Sequence, residues 1–420
     1  MKQRIIGSYN KLKETNILSN FFNLGGIQIS NILLLLLTIR IITGVVGLAE
    51  FGIIMSANRF SQFTGTFINY GTNQSAIRDT AANVNNRSTL GIVFYNTLWI
   101  RAIIFALFLI VLLSIQNLSI PYYSYILFAI PIILAEVFNP LCFFIGIEKL
   151  RVFNIINLVF NALAVLALLI FIKERHNAGW VNFILGTANL ITYIGLFIYL
   201  IAKLKIPFHF PLRHELQKVV KNNFYLTVNN ISVNLQQYII VFALTYWGNA
   251  TVLGAYIICD RVIGQCRNLL ITISNSIYPN AVHIYRQSTD MWNVYRQKTK
   301  YIIAGIFFAG AILIFILADF IVVTLAKEHN ATAVLFLRIM AFVPVISAFN
   351  MLNVLDQLLK NNTVYIFRIA AILLLISVVL AYILLNLGNY QLIGAFTLMV
   401  EMSALLMYEF GIRKPSIHNG

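Results

Sequence analysis

The chain contains the stretch GIIMSANR at residues 52–59, and the related stretch GAYIICDR occupies residues 254–261. Each lies in a long apolar segment that is expected to cross a membrane as a helix. An arginine inside hydrocarbon costs about 2.5–3.5 kcal/mol even on the most lenient insertion scale, so its side chain should face a protein-lined cavity. Because Arg59 and Arg261 occupy matching places, we expect a cavity that is built by two copies of one unit and attracts an anion.

The composition indicates a polytopic membrane protein. Of 420 residues, 60% are hydrophobic and 10% are charged, whereas a soluble domain is about half apolar and a quarter charged. The formal net charge of +16 does not indicate a nucleic-acid partner, because the basic residues lie mostly in short loops between apolar runs. The chain is therefore expected to act within or across a bilayer.

Hydropathy predicts an all-α fold with about twelve transmembrane helices, since a helix needs about 20 apolar residues to cross the hydrocarbon. Basic residues are concentrated in alternate connections, which predicts that both termini are cytoplasmic. The predicted spans are residues 17–39, 47–72, 90–114, 121–146, 153–173, 181–202, 221–246, 252–279, 301–324, 332–356, 364–386 and 391–411.

The two halves of the chain match at an offset of 202 residues (261 − 59). At this offset Asn20 falls on Asn222, and a weaker match, at an offset of 211 residues, joins Asn139 to Asn350. Apolar helices also resemble one another through composition alone, but these matches include polar residues. We therefore interpret the pattern as an internal repeat.

Six spans in each half predict two parallel six-helix bundles related by an axis along the membrane normal. The bundles are expected at residues 1–202 and 221–420, with a cytoplasmic linker at residues 203–220 that contains Pro207 and Pro211. No connection is long enough to form a separate soluble domain, which needs about 50 residues.

Arginines inside the predicted spans exceed the acids available to balance them. A guanidinium matches the geometry of phosphate oxygens, so this excess away from bulk water favours a phosphate ligand. Each arginine could instead pair with a buried acid or extend to the membrane surface. The candidate ligands of an anionic head group are Arg59, Arg261, Arg101, Arg267 and Arg338. The candidate counter-ions or ion-coupling groups are Glu136, Asp260 and Glu401.

The sequence predicts no enzyme, no cofactor and no metal site. The cysteines Cys142, Cys259 and Cys266 have neither the number nor the spacing of a disulfide framework or a metal centre. No glycine-rich phosphate loop or zinc-binding histidine motif is present.

Two short motifs accompany the twelve-span plan. GLAEFG at residues 47–52 is followed by Tyr70 and Gly71, and FIGIEK at residues 144–149 ends the fourth predicted span. On these features the chain resembles the Wzx-type polysaccharide flippases of the multidrug/oligosaccharidyl-lipid/polysaccharide exporter superfamily. FIGIEK is similar to the family's Gln-Gly-x-Glu-Lys pattern, although Ile145 replaces the expected polar residue.

This resemblance implies a V-shaped pair of bundles that works by alternating access in the bacterial inner membrane. The implied substrate is undecaprenyl diphosphate carrying an O-antigen or capsule repeat unit, which moves from the cytoplasmic to the periplasmic leaflet. The five candidate arginines would line a cationic lumen, and one of the three acids would carry a coupling cation. A membrane polymerase and a chain-length regulator of the same pathway are implied partners.

Four other functions are compatible with parts of this pattern. A drug/cation antiporter of the same superfamily would need an acidic or aromatic cavity, which the excess of arginine argues against. A flippase for another isoprenoid-linked envelope precursor would need the same phosphate site. A membrane polymerase would be expected to carry arginines on large periplasmic loops, and a scaffold would have no reason to bury them.

Overall fold

The computed structural model describes residues 28–116, 120–388 and 390–411, and all secondary-structure elements assigned within these ranges are helices. The predicted all-α fold is thus confirmed for this part of the chain. The basic N-terminus, the basic tail and the repeat position Asn20 lie outside the described residues.

The first half of the chain contains α1 (Gln28–Val46), α2 (Leu48–Asn69), α3 (Thr72–Ala82), α4 (Arg87–Ser114), α5 (Tyr123–Phe128), α6 (Ile130–Phe138), α7 (Leu141–Gly146), α8 (Leu150–Phe171) and α9 (Trp180–Leu204). The second half contains α10 (Arg213–Trp247), α11 (Ala250–Gln287), α12 (Thr289–Ile316), α13 (Ala318–Ala326), α14 (Ala331–Met340), α15 (Val343–Leu359), α16 (Thr363–Asn386) and α17 (Phe396–Gly411). Short 3-10 turns at Arg175–Asn177 and Tyr390–Ala395 precede α9 and α17.

Nine predicted spans correspond to helical segments that are long and apolar enough to cross a membrane, within the described ranges. The other three predicted spans are α2, α10 and α11, with 22, 35 and 38 residues. They are long enough to cross, because a 20-residue helix covers about 30 Å. These three are the least apolar of the twelve predicted spans, and they carry most of the polar residues at the interface between the halves.

Prolines interrupt two of the spans. Pro131 lies in the first turn of α6, Pro140 separates α6 from α7, and Pro344 lies in the first turn of α15. A proline has no N–H group and clashes with the carbonyl group four residues earlier, so a helix breaks or bends there. The fourth span is consequently divided into α5, α6 and α7, and the tenth into α14 and α15.

Two of the connections expected on the cytoplasmic side are more helical than hydropathy predicted. Helix α10 begins at Arg213, inside the predicted linker, and only Ser288 separates α11 from α12 where a connection at residues 280–300 was expected. The Ser288 side chain caps α12 by accepting a hydrogen bond from the backbone N–H of Asp290 at 3.2 Å. Hydropathy detects only the apolar part of a helix, so these polar extensions were missed.

The largest apolar core joins the two halves. Its buried side chains include Phe51 and Ile54 of α2 and Ile257 and Ile258 of α11. This core lies toward the N-terminal ends of α2 and α11. This core positions the site described next, since both candidate arginines follow it directly.

Candidate functional site

Helices α2 and α11 cross in direct backbone contact at Gly52 and Gly254. A Cβ atom built on Gly52 would lie 2.5 Å from the backbone N of Gly254 and 2.9 Å from the carbonyl O of Ala250. Only residues without side chains allow such an approach. The two glycines are related by the same offset of 202 residues (254 − 52) as the two arginines, so the repeat-related helices meet at equivalent positions.

The interface of α2 and α11 is closely packed on the N-terminal side of the two arginines and polar on their C-terminal side. Residues 51–58 and 253–259 are all buried. On the C-terminal side, exposed polar side chains follow at helical spacing, namely Gln62 on α2 and Asn268, Thr272 and Asn275 on α11. Polar groups exposed within membrane-spanning helices indicate a water-filled groove rather than contact with lipid. Arg59 and Arg261 therefore lie at the closed end of a polar groove.

Helix α10 packs across one side of this groove. A Cβ atom built on Gly71, in the turn between α2 and α3, would lie 2.9 Å from the Cβ of Leu226 and 3.0 Å from the carbonyl O of Asn223. Gln74 and Asn230 also exchange hydrogen bonds of 3.2 and 3.3 Å between α3 and α10. The seventh span thus contacts the first half directly.

Arg59 is held by groups from three helices. Its Nη2 donates to Oδ2 of Asp260 on α11 at 2.6 Å, and its Nη1 donates to Oε1 of Gln62 on α2 at 3.3 Å. Its guanidinium carbon lies 5.3 Å from the centroid of the Tyr238 ring on α10, a cation–π geometry. An ion pair therefore connects the two halves at this point.

Arg261 has a neutral partner. Its Nη2 donates to Oδ1 of Asn58 at 3.0 Å, and the same oxygen accepts a hydrogen bond from Nε2 of Gln62 at 3.0 Å. Asn58 in turn donates to Oδ1 of Asn182 on α9 at 3.3 Å. Two guanidinium groups and one carboxylate, that of Asp260, give this cluster a net charge of +1. Within the described residues, the buried Nε atoms of both arginines have no hydrogen-bond partner.

Arg101 lies in a different place, enclosed by the first half. It is 1% exposed. Its Nε donates to Thr72 at 3.0 Å, its Nη2 to Asn73 at 2.9 Å, and its Nη1 to the carbonyl groups of Asn139 and Glu136 at 2.8 and 3.4 Å. All three nitrogen atoms of this side chain are thus occupied by protein groups.

Pro140 explains why Arg101 is needed there. In a regular helix the carbonyl of Asn139 would accept from the N–H of Phe143, but at the break beside Pro140 that N–H donates to the carbonyl of Pro140 at 3.0 Å. An unsatisfied carbonyl in the membrane costs several kcal/mol, so another donor must supply the bond. Arg101 is that donor, which indicates a structural role.

Glu136 and Glu401 bind asparagines in separate halves. Glu136 accepts hydrogen bonds of 3.0 Å from both Asn69 and Asn139. Glu401 accepts one of 2.8 Å from Asn350, and its Oε1 lies 3.5 Å from Nη2 of Arg267. The asparagines at the repeat positions 139 and 350 thus both bind an intramembrane carboxylate.

Arg338 is exposed on α14, and its guanidinium carbon lies 5.4 Å from the centroid of the Phe315 ring on α12. Of the eight residues singled out from the sequence, the structure therefore brings together Arg59, Asp260 and Arg261. The other five occupy three separate surroundings.

Four residues of the interface cluster were not singled out from the sequence: Asn58, Gln62, Asn182 and Tyr238. One signal could have identified Asn58, because the offset of 202 residues pairs it with Asp260. The other three lie in the cluster because of the way their helices are rotated about their axes, which hydropathy does not determine. Within the described residues, no group of three His, Cys, Asp or Glu side chains could hold a metal ion.

Comparisons with known proteins agree with this architecture. Two solved structures share the fold. "Lipid II flippase MurJ, inward closed conformation" has a TM-score of 0.75 at 12% identity, with 94% of this chain and 87% of that chain covered. An inward-facing multidrug resistance MATE family transporter of the MOP superfamily has a TM-score of 0.71 at 14% identity, with 90% and 93% covered. These likenesses confirm the predicted fold class.

A curated relative from Escherichia coli (strain K12), named "Putative O-antigen transporter", is 24% identical over 278 residues. The match covers 63% of this chain and 65% of the relative, so it spans less than two thirds of the relative's length. A family model described as "Polysaccharide biosynthesis protein" matches residues 17–284, more than half of the chain. The resemblance found in the sequence is thus confirmed, and the chain belongs to the polysaccharide biosynthesis protein family.

Proposed function

We propose that the protein is a flippase for a lipid-linked oligosaccharide whose linkage to the lipid is a diphosphate. The proposed substrate is undecaprenyl diphosphate carrying an O-antigen or capsule repeat unit, moved from the cytoplasmic to the periplasmic leaflet of the bacterial inner membrane. Family membership supports a role in polysaccharide biosynthesis, and the name of the Escherichia coli relative supports transport of O-antigen. The shared fold with a lipid II flippase supports a lipid-linked cargo.

One observation carries this proposal: the Arg59–Asp260–Arg261 cluster, with its net positive charge, lies between the halves where their buried core ends and exposed polar side chains begin. We interpret these polar side chains as the lining of a groove. A diphosphate entering the groove would meet a guanidinium that the protein does not neutralise. Hydrogen bonds to charged groups contribute about 1.5–3 kcal/mol each, more than neutral ones. The oligosaccharide would face the polar side chains of the groove, while the lipid tail stays in the bilayer.

Alternating access would require the contact at Gly52 and Gly254 to open. That contact is made by backbone atoms and surrounding apolar side chains, and no covalent link joins the halves there. A rocking motion of the two bundles, expected at residues 1–202 and 221–420, would separate α2 from α11 and expose the cluster to the periplasm. Arg101 stays within the first half during such a motion, so we leave it out of the binding site.

The proposal is tested by restoring surface polysaccharide in a strain that lacks the gene. We expect Arg59→Ala and Arg261→Ala proteins to reach the membrane in normal amounts but to fail in restoration. The lysine variants should restore more than the alanine variants if positive charge matters more than the planar donor geometry. Arg151→Ala, at an exposed position on α8, is the matched control. Full restoration by both alanine variants would contradict the proposal.

The coupling ion is a separate part of the proposal. Glu136 is the acid best placed to bind a proton or another cation, because two asparagines of one half hold its carboxylate. Glu401 is the second candidate, and its carboxylate lies close to both Asn350 and Arg267. We expect Glu136→Gln to leave binding of a prenyl diphosphate unchanged but to slow transport. Unchanged transport in this variant would remove Glu136 as the coupling group. A membrane polymerase and a chain-length regulator remain proposed partners.

A drug/cation antiporter is the second candidate function, since a MATE transporter shares the fold. The positive charge of the interface cluster opposes a cationic drug at this position. We therefore expect no gain in resistance to cationic dyes when the protein is expressed in a drug-sensitive strain. A clear gain would favour the antiporter.

A further inference from the structure

The two interface arginines have the same place in the repeat but different partners. At the offset of 202 residues, Asn58 is equivalent to Asp260, just as Arg59 is equivalent to Arg261. Each arginine reaches across to the residue that precedes the other: Arg59 to Asp260 at 2.6 Å and Arg261 to Asn58 at 3.0 Å. The two contacts are therefore reciprocal, but one is ionic and the other is neutral.

A second difference lies one helical turn further on. Gln62, beside Arg59, is equivalent to Gly264, beside Arg261, at the same offset. Gln62 contacts Arg59, Asn58 and Tyr238 with hydrogen-bond distances of 3.3, 3.0 and 3.4 Å. A Cβ atom built on Gly264 would meet no atom within 4 Å. There is consequently open space beside Gly264, three residues after Arg261 on the same helix, while Gln62 fills the equivalent position after Arg59.

We propose that Arg261 is the primary phosphate ligand, and that the Asn58/Asp260 difference selects it over Arg59. This inference rests on the proposed function. The Asp260 carboxylate already accepts from Nη2 of Arg59 and the Gln62 amide oxygen from its Nη1, so the pair of donors that a phosphate would use is engaged. A phosphate at Arg59 would have to displace that ion pair. At Arg261 it replaces only a neutral amide, and the space beside Gly264 admits it.

The Arg59–Asp260 pair has a different role in this assignment. It connects α2 and α11 next to the Gly52–Gly254 crossing, so it stabilises the closed arrangement of the two halves. Arg59, which its ion pair with Asp260 keeps from binding phosphate, thus stabilises the contact between the two bundles. If positions 58 and 260 were both asparagine, the two arginines would be equivalent anion ligands. Because position 260 is aspartate, only Arg261 remains available as a ligand.

The test compares three variants that exchange these partners without removing an arginine. Asn58→Asp gives Arg261 an ionic partner, Asp260→Asn frees Arg59, and the double variant Asn58→Asp/Asp260→Asn exchanges the two environments. Binding of geranylgeranyl diphosphate to the purified full-length protein is measured in detergent, with geranylgeraniol as the uncharged control probe. Size-exclusion profiles and thermal midpoints establish that each variant is folded.

We expect Asn58→Asp to weaken binding about tenfold or more, which corresponds to about 1.4 kcal/mol per tenfold. Asp260→Asn should bind at least as tightly as the natural protein, and the double variant should recover part of the loss because Arg59 becomes available. Arg261→Ala should weaken binding more than Arg59→Ala. Unchanged binding in Asn58→Asp, or equal losses in the two alanine variants, would overturn the inference.

The proposed function fails separately. If the natural protein bound geranylgeranyl diphosphate no better than geranylgeraniol, the diphosphate site itself would be contradicted. If it bound the diphosphate well but Asn58→Asp bound equally well, only the assignment to Arg261 would fail. Gly264→Gln gives an independent variant, since it fills the open space without changing charge, and we expect it to weaken diphosphate binding as well. Unchanged binding in Gly264→Gln would contradict the role of that space.

Discussion

Arg101 and Arg261 are both arginines within membrane-spanning helices, but their surroundings differ. Arg101 is enclosed by one half of the molecule, and the protein occupies each of its three nitrogen atoms. Arg261 lies between the halves, and Asn58 is its hydrogen-bond partner among the described residues. Its Nε is buried without a partner. The first arginine completes the fold, whereas the second has donors left for a ligand.

This comparison shows that the free-energy cost of burying a guanidinium does not by itself identify a binding site. In both residues this cost means that the N–H donors need acceptors, either from the protein or from a ligand. At Arg101 the protein itself supplies the acceptors, because the break at Pro140 leaves the carbonyl group of Asn139 without a backbone donor. In Arg261 the donors exceed the acceptors that the protein provides. The number of satisfied donors, rather than burial, separates a structural arginine from a candidate binding arginine.

The largest expected effect is the loss of stability in Arg101→Ala. Removing this side chain takes a donor from the Asn139 carbonyl group and from the side chains of Thr72 and Asn73. Each buried acceptor left without a partner costs about 1–3 kcal/mol, so the combined loss is large. We expect a markedly lower thermal midpoint of the purified protein and less folded protein in the membrane.

Two variants place this result on a scale. Arg151→Ala, at an exposed position, should change stability by less than about 0.5 kcal/mol. The thermal midpoint of Arg261→Ala should be close to that of the Arg151→Ala control, because the protein uses only some of the N–H donors of Arg261. If Arg261→Ala were as unstable as Arg101→Ala, the distinction between the two surroundings would be lost.

The next effect concerns the crossing of α2 and α11. In Gly52→Ala the new Cβ would lie 2.5 Å from the backbone N of Gly254, so the two helices must separate. Overpacking costs about 1–3 kcal/mol, which shifts a two-state equilibrium about 5- to 150-fold. We expect the closed arrangement to be less populated and transport to be impaired, while Arg101 and the first half stay folded.

This shift is measurable as the reactivity of a cysteine. Met55→Cys, at a position that is buried beside the crossing, is introduced into a protein without its native cysteines. A membrane-impermeant thiol reagent added from the periplasmic side should label it faster when Gly52→Ala is also present. Gly310→Ala is the control, because a Cβ there meets no atom within 4 Å. Equal labelling with Gly52→Ala and Gly310→Ala would show that the crossing does not control access.

Much of the fold was predictable because it depends on local apolarity. Continuous apolar runs determine the number of spans, and the repeated arginine identified α2 and α11 as equivalent helices. The same local property explains what was missed. The polar ends of α10 and α11 are helical without being apolar, so hydropathy placed the start of α10 at 221 rather than at Arg213.

The candidate site was only partly predictable, because its contacts cross between helices. The sequence places Arg59, Asp260 and Arg261 inside spans, but their partners depend on how two helices are rotated about their axes. The enclosure of Arg101 depends on a proline in a neighbouring span, at position 140, and on the Asn139 carbonyl group, which has no backbone donor beside this proline. The roles assigned to Arg267, Glu136 and Glu401 remain predictions.

The smallest expected effect is that of Arg338→Ala. Arg338 has a third kind of surrounding, since it is neither enclosed by one half nor located at the interface of α2 and α11. Its guanidinium stacks on Phe315 at the exposed surface of α14, and such an exposed cation–π contact contributes about 0.5–1 kcal/mol. We expect a slightly lower thermal midpoint and full restoration of surface polysaccharide, with Phe315→Leu giving a similar small change. A folded Arg338→Ala protein that fails to restore polysaccharide would place Arg338 in the transport path. The cationic site would then extend beyond the interface of α2 and α11, and the count of satisfied donors would no longer suffice to identify its members.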